Sequence, residues 1–235
     1  MRIKINFTKN TTPVGISNQS MVNGFIHKCL GENNEYHDKP SNYSVSSLWG
    51  GKLNEDKKTL SFENGGFIIV SSIDQDFIDK LLMGVLSNGE LFHGMRFCGV
   101  DIPDEKFLNG WNHFATLSPF IIKETLDKGK YRFVTLNEPD FSSRVKEYLL
   151  KKINKINPKL DLRDFDVSIP SNPSHKVKKI LVKNVINYAN QCQISIKCNK
   201  EVANLLFNIG IGQSTGSGFG TIYNTRNRGF YKVSG

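Results

Sequence analysis

The sequence predicts an α+β protein made of two tandem β-α-β-β-α-β units with antiparallel sheets, residues 1–112 and 113–235. Three observations carry that expectation. Short segments alternate polar and apolar residues, each half holds two stretches with apolar residues at helical spacing, and Gly, Asn and Asp punctuate the gaps. A chain of 235 residues has room for one large domain or two of roughly 110 residues each.

Met1–Phe7 alternates polar and apolar residues, so it reads as a strand and not as an export signal. Residues 17–30 place Val22, Phe25, Ile26, Cys29 and Leu30 on one helical stripe, with Gly31 positioned to stop it. Segments 43–49, 58–63 and 66–72 read as short strands, and Asn64-Gly65-Gly66 predicts a hairpin turn between the last two. Asp74 is suited to cap a helix over 74–87 through Phe77, Ile78, Leu81, Leu82 and Val85, and a strand around 91–101 closes the first unit. After a junction near 110–115, the second unit is expected to hold strands at 116–123 and 131–136. A basic amphipathic helix follows over 141–156, then two or three strands within 161–197, a helix over about 199–208 and a last strand at 218–224.

Hydrophobic residues make up 38% and charged residues 23%, the balance of a folded globular chain. No apolar run approaches the ~20 residues that span a bilayer, so no membrane partner is expected and a cytoplasmic location is. The four cysteines (Cys29, Cys98, Cys192, Cys198) form no C-x-x-C pair. Reduced, mostly buried thiols are expected, with a Cys192–Cys198 disulfide left open. Charge is unevenly divided: 11 Lys and Arg face 13 Asp and Glu in residues 1–114, and 20 face 9 in residues 115–235. A basic second half suits a polyanion such as nucleic acid, and a plain solvated basic surface is the competing reading.

The segment Gly210 to Gly220 holds five glycines, Gly210, Gly212, Gly216, Gly218 and Gly220, after an apolar helix and before a strand. Glycine admits positive φ and lets backbone N–H groups approach a phosphate without a Cβ in the way. A Walker loop needs a following Lys-Ser/Thr, which is absent. The dinucleotide fingerprint needs strand, loop, helix, and here that order is reversed. A flexible linker is the bland alternative.

With Phe219 before its last glycine, this G-x-G-x5-G-x-G segment resembles the signature loop of the CRISPR-associated repeat-processing endoribonucleases, family six of the CRISPR-associated proteins in the RAMP superfamily. Thr116-Leu117-Ser118-Pro119-Phe120 resembles the strand that opens that family's second domain. Tyr36-His37-Asp38-Lys39, ahead of Ser47-Leu48-Trp49-Gly50, resembles the segment that carries its histidine. The resemblance implies two ferredoxin-like units, no cofactor, and a metal-independent endoribonuclease. Its substrate would be CRISPR repeat RNA, cut by attack of a ribose 2′-OH to leave a 2′,3′-cyclic phosphate.

It also implies His37 as the catalytic histidine, while His27 falls at a first-helix position where some family members carry a catalytic tyrosine, leaving open a two-histidine acid–base pair or a solvent-facing helix histidine. At Tyr43 the sequence departs from the pattern of the family's better-known type, which has a lysine there, so either Lys39 or Lys52 supplies the positive charge or the site works without one. No H-x3-H or H-E-x2-H pattern signals a metal site, and His93, His113 and His175 are expected in structural or RNA-contact roles. RNA contacts are expected from Gly210, Gly212, Gln213, Ser214, Gly216, Gly218, Phe219 and Gly220. Further contacts are expected from Lys176, Lys178 and Lys179, from Arg226 and Arg228 in the aromatic-basic tail, and from Arg144, Lys151, Lys152 and Lys155 on the basic helix. Other CRISPR effector-complex subunits and a second copy of the chain stay open as partners. Two alternatives remain: a non-catalytic RAMP-type subunit that binds CRISPR RNA, and a ferredoxin-like protein holding one small phosphate ligand.

Overall fold

The computed structural model describes residues 1–31, 34–36, 42–182 and 185–232, with the side chain of residue 128 left out. Two four-stranded antiparallel sheets organise them. The first is built from β1 (Arg2–Phe7), β2 (Tyr43–Val45), β3 (Gly66–Ser72) and β4 (Phe97–Asp101), in the order β2-β3-β1-β4. Helices α1 (Gln19–Leu30) and α2 (Gln75–Asn88) join them into a ferredoxin-like unit. The second repeats the plan with β5 (Gly110–Thr116), α3 (Phe141–Ile156), β6 (Asp166–Ser168), β7 (Gln193–Cys198), α4 (Lys200–Ile209) and β8 (Ile222–Asn224), in the order β6-β7-β5-β8.

Alternation decides which face of each strand is buried. Ile3, Ile5 and Phe7 of β1 turn toward Val22, Phe25 and Ile26 of α1 and Phe77, Ile78 and Leu81 of α2. In the second unit Phe114, Ile194, Ile196 and Ile222 meet Val145, Leu149 and Ile153 of α3 and Val202 and Leu206 of α4. Each of these side chains contributes on the order of 1.5–3 kcal/mol by leaving water. Asp74 caps α2 by accepting from the Asp76 amide, and Asn199 caps α4 by accepting from the Val202 amide, as the first-turn preference for short polar side chains dictates.

The other face of β1 joins the two halves. Arg2 is 3% exposed, and its guanidinium donates to the carbonyls of Ile222 and Phe207 while stacking 3.4 Å from the Phe207 ring centroid. Lys4 donates to the carbonyls of Phe230 and Lys232 at 3.1 and 2.9 Å. Phe67 and Ile69 pack against Leu117 and Tyr231, and the Tyr231 hydroxyl donates to Glu105 at 2.9 Å. The aromatic-basic tail, expected to stack on RNA bases, thus straps the halves together through Phe230 and the buried Tyr231 and leaves Arg226 and Arg228 exposed.

Several expectations are corrected. Residues 59–61 do not pair with β3 as a hairpin. They pair with Val14–Gly15 and Lys52–Leu53, because the chain turns at Gly65 (φ 78°) and the side chain of Phe62 is fully buried in the first core. The stretch 110–115 is part of the interior strand β5, which runs to Thr116, and 117–122 is a non-strand crossing with single bridges at Phe120 and Ile121 that leads into a short strand at Lys123–Thr125. Residues 161–197 hold four strands. Two of these, Lys176–Val182 and Val185–Gln191, form a separate hairpin packed on Ile121 and Phe219. All four cysteines are free; Cys98 is exposed, and burial pushes the Cys192 and Cys198 thiols up to about 12. Among the described residues no helix is long and apolar enough to cross a membrane.

Candidate RNA-binding and catalytic site

The glycine segment begins where α4 ends. Gly210 adopts φ 70° and ψ 173°, a region open essentially to glycine alone, and its amide closes the helix on the Leu206 carbonyl at 2.9 Å. The chain then folds back on itself. The Ile211 amide donates to the Gly220 carbonyl at 2.8 Å, and the Gly220 amide donates to Pro119 at 3.1 Å. At Gly220 (φ 70°) a Cβ would fall closer than 3.0 Å to the Ile211 carbonyl oxygen. Close backbone approach, more than ligand access, is what the glycines serve here: Gly210, Gly212, Gly216, Gly218 and Gly220 are all buried, and Phe219 is 3% exposed against Ile121 and Ala189.

What the segment presents to solvent is Gln213, Ser214 and Ser217. Gln213 is held on both sides: its side chain accepts from the Lys123 amide at 3.1 Å and donates to the Lys123 carbonyl at 3.2 Å, and its own amide donates to Ile121 at 2.8 Å. Ser214 sits at φ 55°, a left-handed conformation unusual for a residue with a Cβ. Thr215 crosses to the first unit, its hydroxyl donating to the Tyr43 carbonyl at 2.9 Å. Gly218 lies against the Gln19 side chain of α1. The two other segments that carried the resemblance also meet, the Ser47 amide donating to the Ser118 hydroxyl at 2.8 Å.

Between α3 and this segment lies a cavity of about 680 Å³ walled by Asn42, Tyr148, Lys151, Lys152, Lys155 and Gly212–Thr215. Among the described residues three lysines and no carboxylate line it, a site suited to anionic groups. Lys152 turns its ammonium inward onto the carbonyls of Gly210 (2.9 Å), Gly212 (3.1 Å) and Ile209 (3.4 Å), and burial pushes it down to about 7. A second cleft of about 620 Å³ brings Lys176 and Arg228 together with Trp49, His175, Tyr223 and Lys232.

The remaining sequence-predicted residues divide. His37 and Lys39 lie outside the described residues. His27 is partly buried on α1, on the flank it shares with Asn23 and Gln19 at four-residue spacing, the flank that touches the glycine segment. Tyr43 is a core residue: it is 5% exposed, and its ring stacks 4.3 Å from that of Phe77. Lys52 is exposed and paired with Glu63 at 3.6 Å. Lys178 and Lys179 are exposed on the hairpin, Lys179 near the Tyr188 ring. Arg144 belongs to an ion-pair network with Glu124, Glu138 and Asp140 that also holds Arg132, so it braces the start of α3. His93, His113 and His175 bond Thr12, Ser195 and the Gln193 amide at 2.8, 2.8 and 3.0 Å. Sequence reasoning missed the clasp on Gln213 and the inward turn of Lys152, which depend on carbonyls more than fifty residues away.

Fold and site together define a tandem ferredoxin-like protein whose glycine segment contacts both units beside a basic cavity. The same architecture is found in the solved structure described as the characterization of a Cas6-related gene from Pyrococcus furiosus. It aligns with a TM-score of 0.83 at 18% identity, over 97% of this chain and 99% of that one. A structure described as a RAMP protein binding different RNA substrates aligns with a TM-score of 0.80 at 19% identity, covering 95% and 99%. One described as CRISPR associated protein Cas6 aligns with a TM-score of 0.79 at 18% identity, covering 96% and 99%. No curated protein matches the chain in sequence. The family model described as CRISPR associated protein Cas6, C-terminal, matches residues 102–223, more than half of the chain, and the protein belongs to the Cas6 family.

Proposed function

We propose that this Cas6-family protein is a metal-independent endoribonuclease that cuts CRISPR precursor RNA in the cytoplasm, once within each repeat. The observation that carries the reading is the cavity in which the glycine segment meets three lysines and Asn42, a residue five positions after His37. In this reading residues 113–235 grip the RNA and residues 1–112 supply proton transfer. One histidine, His37, takes the proton from the ribose 2′-OH as its oxygen attacks phosphorus. The P–O5′ bond breaks, and His27 protonates the departing oxygen, leaving a 2′,3′-cyclic phosphate. Lysine charge, from Lys39 or from Lys151 and Lys155 in the cavity wall, offsets the charge that builds on the phosphorane. The second cleft, with Lys176 and Arg228 beside Trp49 and Tyr223, suits single-stranded RNA leading to or from the cut.

The test is a synthetic repeat RNA incubated with purified protein in EDTA, alongside the same RNA carrying a 2′-deoxy substitution at the cut site. One cut in the first and none in the second is expected, and His37→Ala should abolish cleavage while leaving affinity nearly unchanged. Activity lost in chelator would refute the metal-free reaction. Tight binding with no cut in any buffer would favour a non-catalytic RNA-binding subunit instead.

A further inference from the structure

Lys152 stands out among the cations of α3. Lys151 points to Glu147 at 2.6 Å and Lys146 to Asp166 at 3.0 Å, ordinary surface pairs. Among the described residues the acceptors of Lys152 are all neutral: the carbonyls of Ile209, Gly210 and Gly212, at the C-terminal end of α4. A helix leaves its last carbonyls without intrahelical partners, and its dipole is negative there, so a single cation satisfies several orphan groups at once. Left-handed φ at Gly210 (70°) and Gly212 (78°) accompanies the convergence of those carbonyls. Beyond Gly212 come Gln213, Ser214 and Thr215, which form the cavity wall and are tied at their far end to Tyr43 of the first unit.

We propose that Lys152 is a positioning residue for RNA: by gathering three carbonyls of the glycine segment onto its ammonium, it holds Gln213–Thr215 in place at the basic cavity. The proposal rests on the RNA-processing reading above for its ligand, and on geometry alone for the positioning. Charge gives it a signature. Burial keeps the Lys152 ammonium poised near neutral pH, with no carboxylate beside it among the described residues. An RNA phosphate entering the cavity favours the protonated form, so binding takes up a proton. The other titratable groups in the wall are Lys151, Lys155 and Tyr148, the last pushed up to about 12 by burial. Among the described residues, Asn42 and Gly212–Thr215 bring none from the facing elements.

Two variants test it, Lys152→Met and Lys152→Arg, each read with and without RNA. Without RNA, backbone hydrogen exchange over 210–217 should rise in Lys152→Met and stay near wild type in Lys152→Arg. With a repeat RNA made uncleavable by a 2′-deoxy substitution, Lys152→Met should bind about tenfold more weakly at about pH 6.5, the size of one lost hydrogen bond to a charged group. Between about pH 6 and pH 8 wild-type affinity should fall more steeply than that of Lys152→Arg, whose guanidinium stays charged. Exchange and affinity unchanged in Lys152→Met would overturn the proposal. Should Lys152→Met not fold, equal pH slopes in wild type and Lys152→Arg would overturn it. Wild-type protein that fails to bind repeat RNA would instead sink the RNA-processing reading, and the exchange measurement would still decide the role of Lys152.

Discussion

Gly218 and Gly220 stand two residues apart with φ of 93° and 70°, and substituting each by alanine should have unequal effects. Either change imposes a left-handed conformation on a residue with a Cβ, at about 1–2 kcal/mol. At Gly218 the new methyl meets the end of the Gln19 side chain, which can rotate away, losing at most its 3.1 Å hydrogen bond to Asn23. At Gly220 it meets the Ile211 backbone, which has nowhere to go while the Ile211 amide is bonded to the Gly220 carbonyl. Relief requires breaking that bond and the one from the Gly220 amide to Pro119, at about 1 kcal/mol each. Gly220→Ala should therefore cost about 3–4 kcal/mol and Gly218→Ala about 2 kcal/mol. At roughly 2–4 °C per kcal/mol for a chain of this size, the first lowers Tm by roughly 6–16 °C. Calorimetry with parallel urea unfolding measures both. A Gly220→Ala variant no less stable than Gly218→Ala would refute the claim that the segment's glycines are there for close backbone packing.

Two helix-interior glycines should respond with opposite sign. Gly24 in α1 has open space where a Cβ would go, so Gly24→Ala should stabilise by about 0.5–1 kcal/mol. Gly84 in α2 lies against the Cys29 backbone, and Gly84→Ala should destabilise despite the better helix propensity; urea midpoints decide. Arg2→Leu strips donors from the buried Ile222 and Phe207 carbonyls and should cost on the order of 2–4 kcal/mol, partly offset by removing a buried charge, as urea titration would register. Burial raises the Glu105 carboxyl above its usual 4.5, so between that value and its folded pKa the native state holds more protons than the unfolded one. Stability from this group is present below that window and is lost as pH rises through it, and Glu105→Gln should flatten that slope in Tm against pH.

Local chemistry made much of the fold readable. The helix expected at 141–156 is α3 residue for residue, because Val145, Leu149 and Ile153 recur at helical spacing, and Asp74 caps α2 as its side chain predicts. What could not be read depends on distant partners. Asn64-Gly65-Gly66 does turn the chain, but where Thr59–Ser61 finds its hydrogen bonds is decided by Val14–Gly15, more than forty residues earlier. Lys4 and Lys152 look like any surface lysine in sequence, and Arg2 like any surface arginine. The burial of Arg2 and Lys4 follows from carbonyls that the fold delivers from the opposite half, and that of Lys152 from carbonyls more than fifty residues further along its own half. The glycine segment was legible as a place where backbone comes close to something; that the something is largely the protein's own backbone was not.

The clamp formed by Arg2 and Lys4 has a consequence for biosynthesis. Arg2 leaves the ribosome long before its acceptors and stacking partner, Phe207 and Ile222, and Lys4 long before Phe230 and Lys232. At about 5–20 residues per second, roughly ten to forty-five seconds separate the synthesis of the two cations from that of their acceptors. Through that interval β1 can pair with β3 and β4, but its two cations face water. Docking of the halves through these two cations is thus a late, long-range step.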